Sequence, residues 1–172
     1  MPNYRRAKDG DTFFFTVVTH KRQPILCMED SRNVLRKVLH EIKQIRPFQI
    51  EAWVLLPDHI HTIWKLPDDD RDYSMRWGWI KKEFTKRFRK TGLGQGYSGP
   101  LWQKRFWEHM IRDERDFRIH CDYIHYNPVK HGIVESPAGW RYSTFHRYVR
   151  EGMYEAGWGE SEIKFSGKIG NE

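Results

Sequence analysis

The run Pro57-Asp58-His59-Ile60-His61-Thr62-Ile63-Trp64 constrains this chain more than any other stretch. It is apolar and β-branched, so it reads as a strand reaching about Leu66. Side chains alternate along a strand, which puts His59 and His61 on one face and Ile60 on the other. A rise of about 3.3 Å per residue separates the two imidazoles by roughly 7 Å along the strand. Two imidazoles so placed can converge on one metal ion. The pattern is weak alone, because a His-x-His strand often only packs, and it needs a third ligand.

The flanking segments set that strand in a sheet. Residues 12–19 (TFFFTVVT) read as a buried strand. Asp30 or Ser31 caps a helix to about Arg46, with Val34, Val38, Ile42 and Ile45 as its apolar stripe and Pro47 as its stop. Residues 49–56 form the next strand. The turn Pro57-Asp58 joins it to the histidine strand as an antiparallel hairpin. Asp68, Asp69 and Asp70 read as a solvated turn, since adjacent side chains splay. Ser74 caps a second helix to about Lys90, with Trp77, Ile80, Phe84 and Phe88 buried.

The other faces of that helix carry Lys81, Lys82, Lys86, Arg87, Arg89 and Lys90 against Glu83. Such an excess suits phosphate binding, although cations in a last helical turn also suit the helix dipole. Residues 92–99 are glycine-rich but follow a helix, so they do not cradle phosphate. Residues 101–112 read as a strand with basic and aromatic side chains interleaved, Lys104 on one face and Arg105 on the other. Asp113 caps a third helix that stops before Pro128. A short helix follows within residues 140–148.

This order gives an α+β, ferredoxin-like βαββαβ core: an antiparallel sheet with two helices on one face, followed by one more helix. Residues 1–148 form one domain behind a short basic arm (Arg5, Arg6, Lys8), and residues 149–172 a polar, mobile tail.

Lys and Arg number 30 against 23 Asp and Glu, a net charge of +7 that favours an anionic partner. Eight Trp, several beside basic residues, supply rings for base stacking. Cys27 and Cys121 have no metal or redox spacing and fit a reducing compartment. The sequence shows neither a signal peptide nor an apolar run long enough to span a membrane. A cytoplasmic, nucleoid-associated protein is expected. No apolar dimer surface stands out, so a monomer is expected, with a dimer as the alternative.

The third helix supplies the missing ligand. Asp116, His120, Tyr123 and Asn127 lie at spacings of four, three and four, along one side of it. The Asn127 amide oxygen is a hard donor that can join His59 and His61 on Mg²⁺ or Mn²⁺. Tyr123, one turn earlier, then stands beside a phosphate held there. Tyr126 competes, but it adjoins Asn127 and points about 100° away on a helix. Attack by the Tyr123 oxygen would leave a phosphotyrosine linkage and a free 3′ hydroxyl.

These residues also carry a family resemblance. His59-Ile60-His61 resembles the His-hydrophobic-His signature of single-tyrosine transposases. The stretch Tyr123-Ile124-His125-Tyr126-Asn127-Pro128-Val129-Lys130-His131-Gly132 resembles the tyrosine motif of REP-associated tyrosine transposases, relatives of the IS200/IS605 group. Tyr4-Arg5-Arg6, residues 14–19, Trp102-Gln103, Phe106-Trp107-Glu108-His109 and Ile111-Arg112-Asp113-Glu114 are similar to that family as well. The resemblance runs from residue 4 to about 148. It implies a divalent metal on His59 and His61, attack by Tyr123, and cleavage and rejoining of single-stranded DNA at REP hairpins. It also implies that Arg5 and Arg6 help to read a short tetranucleotide at the hairpin foot. The insertion-sequence relatives carry Gln where this chain has the shorter Asn127. Their dimers exchange the tyrosine helix. Two other readings compete: a non-catalytic binder of structured single-stranded nucleic acid, and a hydrolase that uses metal and water without a tyrosine adduct.

Overall fold

The computed structural model describes residues 11–170. The sheet has four strands: β1 (Thr12–Val18), β2 (Gln49–Leu55), β3 (His59–Lys65) and β4 (Trp107–Met110). Their spatial order is β2-β3-β1-β4, every neighbouring pair antiparallel. The helices are α1 (Glu29–Ile45), α2 (Tyr73–Phe88), α3 (Glu114–Lys130) and α4 (Phe145–Arg150). The βαββαβ order and antiparallel sheet expected from the sequence are present. No helix among the described residues is long and apolar enough to cross a membrane.

Every residue of β1 is buried because the sheet is covered on both faces. Phe13, Phe15, Val17, Ile60 and Trp64 face α1 and α2, where Trp64 and Trp77 stack at 4.3 Å. Phe14, Ala52, Val54 and Ile63 face the other way, onto Cys121, Tyr123 and Ile124 of α3. The parity of β3 puts His59 and His61 on the Ile63 side, under α3.

Several expectations differ from the structure. Pro128 does not end the third helix. It lies inside the last turn, where its missing N–H deprives only the Ile124 carbonyl. Gly132 ends the helix instead, at φ 68°. Its N–H bonds to the Val129 carbonyl, while that of Ile133 bonds to Pro128, a Schellman closure. Residues 101–112 are not one strand. Trp102 bridges Thr19 and Trp107 pairs with Thr16, so this side holds two residues more than β1 does over that interval. The surplus leaves the ladder and lets Phe106 turn onto Phe15 and Trp77. A surplus of two preserves parity, so Trp107 and His109 still share a face. Finally, the segment after Tyr148, expected to be a loose tail, packs on α3. Tyr154 stacks on Trp158 at 4.3 Å, and its hydroxyl donates to Asp122.

Asp70 is not merely solvated. Arg76, buried in α2, places all five N–H groups: on both Asp70 oxygens and on the carbonyls of Arg46, Pro47 and Asp72. The Arg76 contact holds the Asp70 carboxyl down at about 2. Helix α2 starts from Asp72, not Ser74, with Asp72 accepting from the Met75 N–H. Asp70→Ala leaves the Arg76 charge buried without its counter-ion, so a loss of about 3 kcal/mol is expected in urea unfolding. A loss under about 0.5 kcal/mol would show that the carbonyls alone suffice.

Candidate active site

Each histidine of β3 is oriented through its Nδ1. The His59 Nδ1 lies 2.6 Å from Asp58 Oδ1, and since a carboxylate only accepts, His59 donates. That tautomer leaves the lone pair of a neutral ring on Nε2, which lies 3.4 Å from Asn127 Oδ1. Burial raises the Asp58 pKa, but hydrogen bonds from His59 and Arg22 outweigh it and hold the carboxyl at about 2. The His61 Nδ1 lies 2.9 Å from the Thr16 hydroxyl on the neighbouring strand. The two rings stand edge to face, 4.8 Å apart.

Helix α3 completes the corner. The Tyr123 ring packs edge-on against His61 at 5.2 Å, and its hydroxyl accepts from Lys130 Nζ at 2.9 Å. The ammonium also lies 4.8 Å from the Tyr123 ring centroid. Tyr126, the competing tyrosine, points instead towards Trp158 and Phe165. His59, His61, Tyr123 and Asn127 are all at most 3% exposed. Gly170 closes the corner: a Cβ there would meet the Tyr123 hydroxyl at 3.1 Å and His61 Cε1 at 3.3 Å, and its φ of +65° also favours glycine.

The polar row on α3 therefore splits in two. Tyr123 and Asn127 join the β3 histidines. Asp116 and His120 join His109 of β4, with ligand atoms all within 4.8 Å of one another. In this second cluster the Asp116 Oδ2 already accepts from the backbone N–H and Nε of Arg112 and lies 2.8 Å from His109 Nε2. Burial raises the Asp116 pKa, yet the bonds from Arg112 and His109 hold it at about 2. The cluster braces β4 against α3. The first corner also offers a donor set for a metal ion, two imidazoles whose Nδ1 atoms are engaged by Asp58 and Thr16 plus an amide oxygen, whereas Asp116 in the second is already engaged by Arg112 and His109.

The basic residues are scattered. Helix α2 lies across the sheet from the histidines. Its Arg87 is bound to Glu41 and Glu83, and Lys81 donates to the Gln103 carbonyl, with burial lowering its pKa to about 8. Arg89 donates to the Gly99 carbonyl. Lys82, Lys86, Arg89 and Lys90 are exposed, as are Lys104 and Arg105 before β4. Arg5 and Arg6 fall outside the described residues. Sequence reasoning missed Thr16, Asp58, Lys130 and His131, whose ring lies 5.0 Å from that of His59. Lys130 is seven residues beyond Tyr123, on the same helical side, and became legible only once the helix was carried past Pro128.

Residues 12–127, which hold this whole corner except Lys130, His131 and Gly170, match the family model described as "Transposase IS200 like". The chain belongs to the IS200-like transposase family. It is 46% identical to the REP-associated tyrosine transposase of Escherichia coli K12 over 167 residues, 96% of each chain. It also superposes on a solved REP-associated tyrosine transposase bound to a REP hairpin, with a TM-score of 0.78 and 44% identity, covering 98% of this chain and 99% of that one.

Proposed function

We propose that this IS200-like transposase cleaves and rejoins single-stranded DNA at REP-type hairpins through a covalent bond to Tyr123, with a divalent metal held by His59, His61 and Asn127. One observation carries the reading: the Tyr123 hydroxyl, two imidazoles oriented through Nδ1 and an amide oxygen meet in one corner of a single chain. A monomer thus owns a complete set of site groups. The hairpin in the similar solved complex supports the substrate class.

Bound Mg²⁺ or Mn²⁺ supplies Lewis-acid charge to the scissile phosphate. The chain's own groups do the rest. Tyr123 is fixed edge-on against the stacked rings of His61 and Phe14, which lowers the orientational cost of bringing the nucleophile to phosphorus. Lys130 donates to the phenol oxygen and favours its negative charge. The Tyr123 phenol gives up its proton as its oxygen–phosphorus bond forms, the bond from phosphorus to the 3′ oxygen breaks, and that oxygen takes up a proton, so the count balances. A 3′ hydroxyl can reverse the step, because the phosphodiester count does not change. A phosphate at Tyr123 would compete with Gly170 for the space beside the hydroxyl.

The test is end-labelled hairpin DNA with single-stranded flanks, incubated with the protein and Mn²⁺ or Mg²⁺ and run on a denaturing protein gel. The expected result is a labelled protein band that Tyr123→Phe abolishes while hairpin binding persists. Cleavage that survives Tyr123→Phe would point to water as nucleophile, and binding with no cleavage to a non-catalytic module. Asp58→Asn removes the charged acceptor behind His59, so activation should need about 10- to 100-fold more Mn²⁺. An unchanged Mn²⁺ dependence would separate Asp58 from the metal.

A further inference from the structure

We infer that Trp107 is a stacking platform for a base of the single-stranded DNA flanking the phosphate at Tyr123. The inference rests on the proposed function and adds a contact to it. An exposed tryptophan is by itself unremarkable. Its position in the sheet is what matters here. Trp107 is 43% exposed, whereas Trp64, Trp77 and Trp102 are buried. In the register, Thr16 of β1 is the Cα partner of His61 on one side and of Trp107 on the other. Directly opposed residues share a face, and the Thr16–His61 contact at 2.9 Å fixes which face it is. His109, two residues along from Trp107, stacks on His120 of α3 and confirms the parity. His61, Thr16 and Trp107 therefore form a line across three strands on the active-site face. Two strand spacings of about 4.8 Å put the Trp107 backbone roughly 10 Å from that of His61.

Helix α3 leaves this end of the line open. His120 lies over His109 of β4, Tyr123 packs on Phe14 and His61, and Asn127 reaches His59. Successive turns of the helix thus step from β4 through β1 to β3, away from Trp107. Lys104 and Arg105 are exposed three and two residues before Trp107. An exposed indole with cations close by in the chain, on the nucleophile's side of the sheet, suits one unpaired base and its phosphates. Duplex DNA hides its base faces in the stack and could not use such a platform.

The experiment compares two hairpins, one with a single-stranded flank and one blunt, binding to full-length protein in the Tyr123→Phe background by fluorescence anisotropy. Trp107→Ala should weaken the flanked hairpin by about 5- to 150-fold, the worth of one stacked base, and leave the blunt hairpin unchanged. Trp107→Phe should retain binding within about threefold, since a ring remains. Equal losses on both hairpins, or no loss on either, would overturn the platform. If the Tyr123→Phe parent binds neither hairpin, the proposed function fails and takes this inference with it. If the parent binds both and Trp107→Ala binds as the parent does, Trp107 alone is wrong.

Discussion

The pairing of β1 with β3 holds the rest of this molecule in place. All seven positions of each strand pair, from Thr12 with Lys65 to Val18 with His59. The ladder is sealed by helices on both sides, so polar groups inside it are costly unless they bond to one another. Thr16 and His61 meet that demand together at 2.9 Å, in a strand otherwise rich in phenylalanine. One contact thereby satisfies a buried hydroxyl, orients an imidazole and sets the face on which α3 must land. Asp58 does the same for His59 from the turn.

Helix α3 is held from two sides. Its inner side gives Tyr123 and Asn127 to the sheet. Its outer side carries His125, which lies 2.7 Å from the Thr144 hydroxyl and 3.1 Å from that of Tyr154. Burial pushes the His125 pKa down to about 3, so the ring stays neutral between these hydroxyls. Tyr154 reaches on to Asp122. Residues near the end of the chain thus clamp the helix that carries the tyrosine, and the nucleophile's backbone is fixed by contacts far from the chemistry. The basic surface of α2 is set apart, with the whole sheet between it and Tyr123.

What the sequence made legible follows from the range of the forces involved. The alternation of His59, Ile60 and His61 is a local fact, and it survived intact. So did the apolar stripe of α2, since amphipathic periodicity is decided within a few turns; in α1 Val38 and Ile42 are buried as expected, but Leu35 joins them and Ile45, in the last turn, is 64% exposed. The end of α3 was misplaced because Pro128 carries a strong local penalty. The closure at Gly132 and the buried setting of the last turn outweigh it. The break near residue 104 was invisible because a strand can eject two residues without disturbing which side chains face the core. Tyr154, Trp158 and Phe165 were signals in plain view, three rings in a glycine-rich segment. Their partners include Asp122, Tyr123, His125 and Tyr126 of α3, and nothing local points there. The side of the sheet taken by α2 relative to the histidines is likewise a property of topology.

The two-residue surplus before β4 has a wider consequence. The site is written in odd and even positions. A slip of β3 by one residue against its neighbours would turn both imidazoles into the aromatic layer around Trp64 and bring Ile60 up beneath α3, and a one-residue change within β1 would turn Thr16 away from His61. A change of two would leave every face as it is. Length variation among chains built on this plan should therefore come in pairs wherever it touches the sheet. Single insertions belong in the glycine-rich loop after α2, which carries no strand and so no alternation of faces to preserve.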